Sequence, residues 1–490
     1  MRHPQGLNFA ITLDRDLPEP LQEQLAAQLR AAIRHGRLAA GARLPSTRTL
    51  AAVLGTSRGV ALTAYQRLLA EGYVNGRHGS GTYVARPAAG PPVREPERST
   101  ETVIDLRADL PSTQGFPPAE WRAAWRRAGE RAALLGEPPA AGLPALRAAI
   151  GAHLRGTRGL VLDGHDVIVT AGTAGALALA VRARGGPDPV IALEDPAPPW
   201  LRGELARLGT VLPLPADGSG ARPDLIPRSC DIVVVLPERG VPYGTRMPLD
   251  RRRALAAWAR DSGGLVVEPA FDGRFGAAPD PLPSVLALGD PWCTAMTGSF
   301  RDLLTPALRL SFAVLPRRPA GELERDLSTG TGAGVTGVTG VTGVSMAGAG
   351  PAGAGWERAA VTCQLALTEL LASGRVARRA EQLSLLYGAK RALVRQALGA
   401  YPGTRLLGTH SGASAALLLP SSVPAESVVR LLRARRVHVA ELAAFHHPGR
   451  PPRNGIAFSF GRLDGVTLRR AVHTIARTLD DHRLARRTAA

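Results

Sequence analysis

Apolar residues recur at every fourth position early in the chain, at Leu21, Leu25, Leu29 and Ile33, and Gly36 closes the run. This spacing predicts an amphipathic helix whose stripe packs inward. Ser46 is placed to N-cap a second, short helix through Leu50 and Leu54. Gly55, tolerant of positive φ, ends that helix, and Ser57 caps a third. On the third helix Val60, Ala64, Tyr65, Leu68 and Leu69 are expected to face inward, leaving Arg58 on the exposed first turn. Two helices joined by so short a turn form the unit that enters a DNA major groove. Short β-like runs at 73–74 and 82–84 flank a glycine-rich tip at 75–81, whose backbone can approach phosphate. The stretch 44–84 therefore predicts a winged helix-turn-helix.

The pattern then changes. Residues 86–103 are rich in proline and charge and predict a semi-stiff linker after a first domain at 1–85. In the segment 104–490, β-branched runs at 167–170, 190–193, 232–236, 265–267 and 310–314 alternate with helical stretches, which predicts an α/β domain with a mostly parallel sheet covered on both faces. The segment 328–355, built of Gly, Thr, Ala and Val, has nothing with which to bury a core and reads as a flexible insertion. Helical periodicity returns at Trp356, and strand-like runs at 415–419 and 456–460 point to a smaller C-terminal α+β subdomain from about 375 to 490.

Charge adds a weak argument. The formal net charge of +19 favours a polyanionic partner and salt-sensitive binding. The excess is nearly all arginine and extends beyond the first domain, however, as a GC-rich genome would also produce. Cys230, Cys293 and Cys363 lie far apart, without metal-ligand spacing, and read as small buried apolar residues in a reducing cytoplasm; no metal site is expected. No apolar run is long enough to span a bilayer and no leader is legible, so a cytoplasmic protein without a membrane partner is expected.

The segment 44–84 resembles the GntR family of bacterial regulators, whose pattern LPSxRxLAxxLxxSRxxVxxAYxxLxxEGYxxxxxGxGTxV it matches at most fixed positions. The resemblance implies a double-stranded DNA operator as partner and places Ser46, Arg48, Ser57, Arg58, Arg77 and Gly79 at the interface. The chain departs at Gly59 and Val60, where the family carries a polar residue and Thr, so one contact is expected to be missing. The structural alternative is that these arginines only solvate a helical face.

A second resemblance covers 104–490. Phe116-Pro117 with Trp121, Gly142-Leu143-Pro144, Thr170-Ala171-Gly172, Glu194-Asp195-Pro196, Pro242 with Gly244, and Gly298-Ser299-Phe300 followed by Pro306-Ala307-Leu308-Arg309 follow the order of the fold-type I aminotransferase domain of MocR-type regulators. In that subfamily a GntR-like head is fused to such a domain, which would hold pyridoxal phosphate. The resemblance implies a homodimer. Aminotransferase chemistry needs a lysine amine for the imine and an acid at the pyridine nitrogen. At the family's lysine position this chain has Asp302, preceded by Arg301. The acid of Glu-Asp-Asp-Tyr-Asp falls at Pro269 and its tyrosine at Phe271; the stacking tyrosine falls at Pro198, and the glutamine pair near Ala174 and Gly175. Gly240 and Pro269 suggest either drift or a reshaped pocket. Lys390, the only lysine, sits beside Arg391 on a helix-like stretch and reads as a solvated surface charge.

What the resemblance leaves is Arg309 at the phosphate position, with Ser299 and Thr173 as supplementary donors. Arg309 either binds an anion or pairs with Asp302. No catalytic residues and no covalent cofactor are expected. The favoured reading is a DNA-binding transcriptional regulator whose aminotransferase-like domain serves dimerisation and noncovalent sensing of a small-molecule effector. The alternatives are a pyridoxal phosphate-dependent aminotransferase and a regulator that binds pyridoxal phosphate reversibly.

Overall fold

The computed structural model describes residues 11–14, 19–34, 38–39, 41–71, 73–77, 81–85, 103–107, 112, 114, 116, 118–136, 138–184, 188–270, 282–317 and 358–487. It divides into two compact units, Met1–Thr102 and Val103–Ala490. The sequence-predicted linker, apart from Val103, and the insertion 328–355 lie outside the described residues.

The first unit consists of α1 (Leu21–Arg34), α2 (Thr47–Leu54), α3 (Arg58–Ala70) and an antiparallel hairpin, β1 (Val74–Arg77) with β2 (Gly81–Val84). The caps form as their residue types dictate: Ser46 Oγ accepts from Thr49 N at 3.1 Å and Ser57 Oγ from Val60 N at 3.4 Å. Gly55 ends α2 in the left-handed conformation, φ 63°, where a Cβ would be strained. Leu25, Leu29, Leu50, Ala61, Ala64, Tyr65, Leu68, Val74 and Val84 form the core. Leu69, expected inward, is instead 49% exposed. One helical face already holds Ala61, Ala64, Tyr65 and Leu68, and position 69 falls beyond its edge.

The second unit begins with β3 (Ile104–Asp105), α4 (Pro118–Ala132) and α5 (Pro144–Arg158). Next come β4 (His165–Thr170), α6 (Thr173–Ala183), β5 (Val190–Asp195), α7 (Pro199–Leu205), β6 (Thr210–Asp217) and β7 (Gly220–Ala221). The large subdomain closes with β8 (Ile232–Val234), α8 (Leu249–Ser262), β9 (Leu265–Ala270), α9 (Val285–Leu288), β10 (Thr294–Ser299) and β11 (Ser311–Pro316). Its eight-stranded sheet has the order β4-β11-β10-β9-β8-β5-β6-β7. The run from β10 to β6 is parallel, while β11 is antiparallel to both of its neighbours. Parallel strands buried on both faces need near-continuous apolar runs, and β8 and β9 supply them. One core cluster holds α6 and α7 against Ile168, Ile191, Ile232 and Val267. Another holds α8 and α9 against Ala192, Val233 and Val266.

The helix α10 (Val361–Ala372) packs with α4 and α5 on the large subdomain. The smaller C-terminal part contains α11 (Arg375–Leu398), β12 (Arg405–Leu407), β13 (Ser414–Leu418), α12 (Ala425–Ala434), β14 (Val437–His438), β15 (Ala440–Glu441), β16 (Gly455–Ser459) and α13 (Gly465–Arg487). Its sheet, β12-β13-β16-β15, is antiparallel and packs with α11, α12 and α13.

Candidate functional site

In the first unit the arginines sort by partner. Arg30 grips Glu71 through Nε and Nη2 at 2.8 and 2.7 Å, and Arg67 pairs with Glu23 and Glu71. Those cations are neutralised internally. Arg48 and Arg58 are exposed on the first turns of α2 and α3, and neither has an ion pair or hydrogen bond among the described residues. Two unpaired cations beside two helix N-termini make a surface suited to phosphate and base edges. Ser46 and Ser57 lie beside them, with their hydroxyls committed to capping. Tyr65 Oη donates to Pro45 O at 2.9 Å and pins α3 to the start of α2. Arg77 is on β1, and Gly79 lies outside the described residues. The outward face of α3 also carries Leu62, 44% exposed; a heptad count from buried Tyr65 and Leu68 would have found it.

In the second unit a cleft of about 230 Å³ opens at the ends of β9 and β10 and the start of α6. Thr173, Ser299, Pro269 and Asp302 line it together. Arg309 is not in the lining. It is exposed, at the left-handed end of a short helical turn with φ 45°. The pairing of Arg309 with Asp302 offered by the sequence is not formed: Asp302 has its ion pair with Arg301, at 3.8 Å. Trp200 and Glu204 also line the cleft. The sequence reading missed both, although an aromatic stands two residues beyond the expected stacking position.

Pro269 is tolerated because it lies two residues past the last register pair of β9 with β8, Val234↔Val267, where the ladder no longer needs its N–H. Gly240 lines neither cavity but sits in a tightly filled place. A Cβ there would stand 2.1 Å from Thr245 Oγ1 and 3.0 Å from Glu194 Oε1. Glu194 is buried, accepts from Leu236 N at 2.8 Å, and is pushed up to about 7 by that burial. Glu268, buried on β9 on the far side of β8, accepts from Val285 N at 3.0 Å and faces Arg158 at 3.8 Å; burial raises its carboxyl above the usual range.

Lys390 is not a surface charge. It is 2% exposed on α11, and its Nζ donates to Gly461 O at 2.7 Å. Burial lowers it to about 8. It does not line the cleft. Cys230 is buried as expected, whereas Cys293 and Cys363 are half-buried. Among the described residues no cluster of three potential metal ligands occurs, and no helix is long and apolar enough to cross a membrane.

Comparison with known proteins agrees with this geometry. Residues 21–84 match the model of the bacterial regulatory proteins of the gntR family. The chain is 34% identical over 472 residues to the HTH-type pyridoxine biosynthesis transcriptional regulator PdxR of Corynebacterium glutamicum, covering 94% of this chain and 96% of that one. It is 30% identical to the probable rhizopine catabolism regulatory protein MocR of Rhizobium meliloti, over 65% of this chain and 70% of that one. The fold resembles the multiple substrate aminotransferase of Thermococcus profundus, with a TM-score of 0.66 at 19% identity, covering 79% of this chain and 93% of that structure.

Proposed function

Because this chain belongs to the MocR-type transcriptional regulators of the GntR family, we propose that it binds a double-stranded operator as a cytoplasmic homodimer and senses an effector noncovalently. The exposed cations Arg48 and Arg58 meet the DNA, with Arg77 and the backbone at Gly79 contributing from the wing. Two heads on paired chains would take two half-sites.

The second unit keeps the fold of an aminotransferase without the donors its chemistry needs. The observation that carries this reading is Asp302, which lines the cleft where the covalent lysine would stand. A carboxylate cannot form an imine, and Pro269 has no side chain to hold a proton on a pyridine nitrogen. The donor set therefore does not fit covalently held pyridoxal phosphate, and no catalytic residue is assigned. What the cleft retains is the start of α6 with the hydroxyls of Thr173 and Ser299, a polar wall for a reversibly held anion.

Two measurements test the proposal. Genome-wide mapping of bound sites should yield an operator, and Arg48→Ala and Arg58→Ala should each weaken its binding; unchanged binding in both would remove the docking. The purified chain mixed with pyridoxal phosphate should give no imine absorbance. A band trapped by borohydride on Lys390 would overturn the noncovalent reading.

A further inference from the structure

The motif Glu194-Asp195-Pro196 borders a second cavity, of about 530 Å³, which shares no lining residue with the cleft above. Its walls come from the end of β5, the turn at 243–245, the β6–β7 turn, the edge strand β12 and the loop at 446–453 before β16. It is thus a seam between the large and small sheets of the second unit.

The floor is built from fixed groups. Asp195 Oδ1 accepts from His447 N at 2.7 Å, and its Oδ2 faces His446 Nδ1 at 3.7 Å and Arg450 Nε at 3.6 Å. Tyr243 Oη and His446 Nε2 are hydrogen-bonded at 3.1 Å. Arg202 fastens the loop by donating to the carbonyls of Ala444, Phe445 and His446 at 2.8, 3.2 and 2.9 Å. Both lining carboxylates are compensated, Asp195 as described and Asp217 by two 2.7 Å bonds from Arg251, which lies outside the lining.

The rim is different. Arg405, Arg453 and His410 line the cavity, are exposed, and have no ion pair among the described residues. The Arg453 guanidinium is held over the Tyr243 ring, 5.4 Å from its centroid. Register puts the two arginines at the same end of the small sheet, on either side of β13, since Arg405 pairs with Leu418 and Leu418 with Gly455, two residues after Arg453. Compensated acids below and uncompensated guanidinium groups above leave the cavity positive and furnish planar donors for oxyanions. We propose that this seam is a binding site for a small oligoanion, a phosphorylated or polycarboxylate metabolite held chiefly by Arg405 and Arg453. Its volume lies within the range of small-molecule sites. A ligand there would bridge the two sheets, which makes it a candidate effector; that role rests on the noncovalent sensor reading.

Calorimetric titration of the full chain at fixed ionic strength, with inorganic pyrophosphate in one arm and citrate in the other, tests the site and separates phosphate from carboxylate recognition. At least one probe should bind at one site per chain, and the variant carrying both Arg405→Ala and Arg453→Ala should bind it at least about tenfold more weakly. His410→Ala should weaken it less, and Arg430→Ala, on a remote exposed helix face, should leave it unchanged. No saturable binding by either probe below about 10 mM, equal loss in Arg430→Ala, or displacement by a duplex of arbitrary sequence would overturn the assignment. Operator affinity measured with and without the bound probe is a separate readout: a shift supports the sensor role as well, and no shift with binding intact supports the site while removing that role.

Discussion

Lys390 is a buried amine that keeps its charge at neutral pH only against its surroundings, helped by the Gly461 carbonyl and the attraction of Asp464. In the unfolded chain it holds its proton to about 10.5, and in the fold to about 8. Between those values the unfolded state binds a proton that the native state has lost, so stability rises with pH across the window. Relative to Lys390→Met, the wild type should therefore gain up to about 3 kcal/mol between pH 7.5 and 10.5, read from urea midpoints at each pH. A flat difference would mean that the amine reaches water. Gly240 carries the second prediction at this scale. With Thr245 Oγ1 occupying the space of its missing side chain, Gly240→Ala should cost about 1–3 kcal/mol in thermal unfolding, and adding Thr245→Ala should recover part of that loss. Without such recovery the two positions would not share one volume.

Caps set the element boundaries in the first unit. Ser57→Ala removes the acceptor for Val60 N and should lower that unit's stability by about 1 kcal/mol, measured by hydrogen exchange in α3. Ser57→Asp restores an acceptor and should restore the protection, yet place a negative charge beside Arg58 and weaken DNA binding; retained operator affinity in that variant would move the interface away from this turn. These boundaries were legible because caps are local chemistry, as were β4, β5, β8, β9 and β11, whose β-branched runs announce buried strands. β6 and β10 gave no such signal. Pro213 and Pro215 interrupt β6, tolerable on a strand whose outer neighbour is only the two-residue β7. β10 is TAMTGS, mostly small residues without a β-branched run, and at Gly298 the ring of its register partner Phe312 on β11 stands where a Cβ would fall. Around the site, Asp302 pairs with the adjacent Arg301 rather than with Arg309, whereas the burial of Lys390 depends on contacts far apart in sequence, such as that with Gly461, which no local pattern encodes.

At the scale of the molecule the question is where the positive charge acts. A net charge of +19 spread over both units would by itself give salt-sensitive, sequence-independent association with DNA. If the head alone meets the operator, only its unpaired cations release counterions there. Arg48→Ala and Arg58→Ala should then each reduce the slope of log affinity against log salt by about one wherever they meet phosphate, and Arg58→Ala should cost about 1–3 kcal/mol if it reads a guanine. Arg30 and Arg67, already tied to Glu71 and Glu23, should change the slope little when replaced. The variant carrying both Arg405→Ala and Arg453→Ala removes as much charge as the two head variants combined, yet should leave the slope unaltered, because those side chains face a cavity sized for a small molecule. Fluorescence anisotropy of a labelled operator at four or more salt concentrations measures all of these slopes, and a fall with the cavity variant equal to that with the head variants would place DNA across the second unit as well.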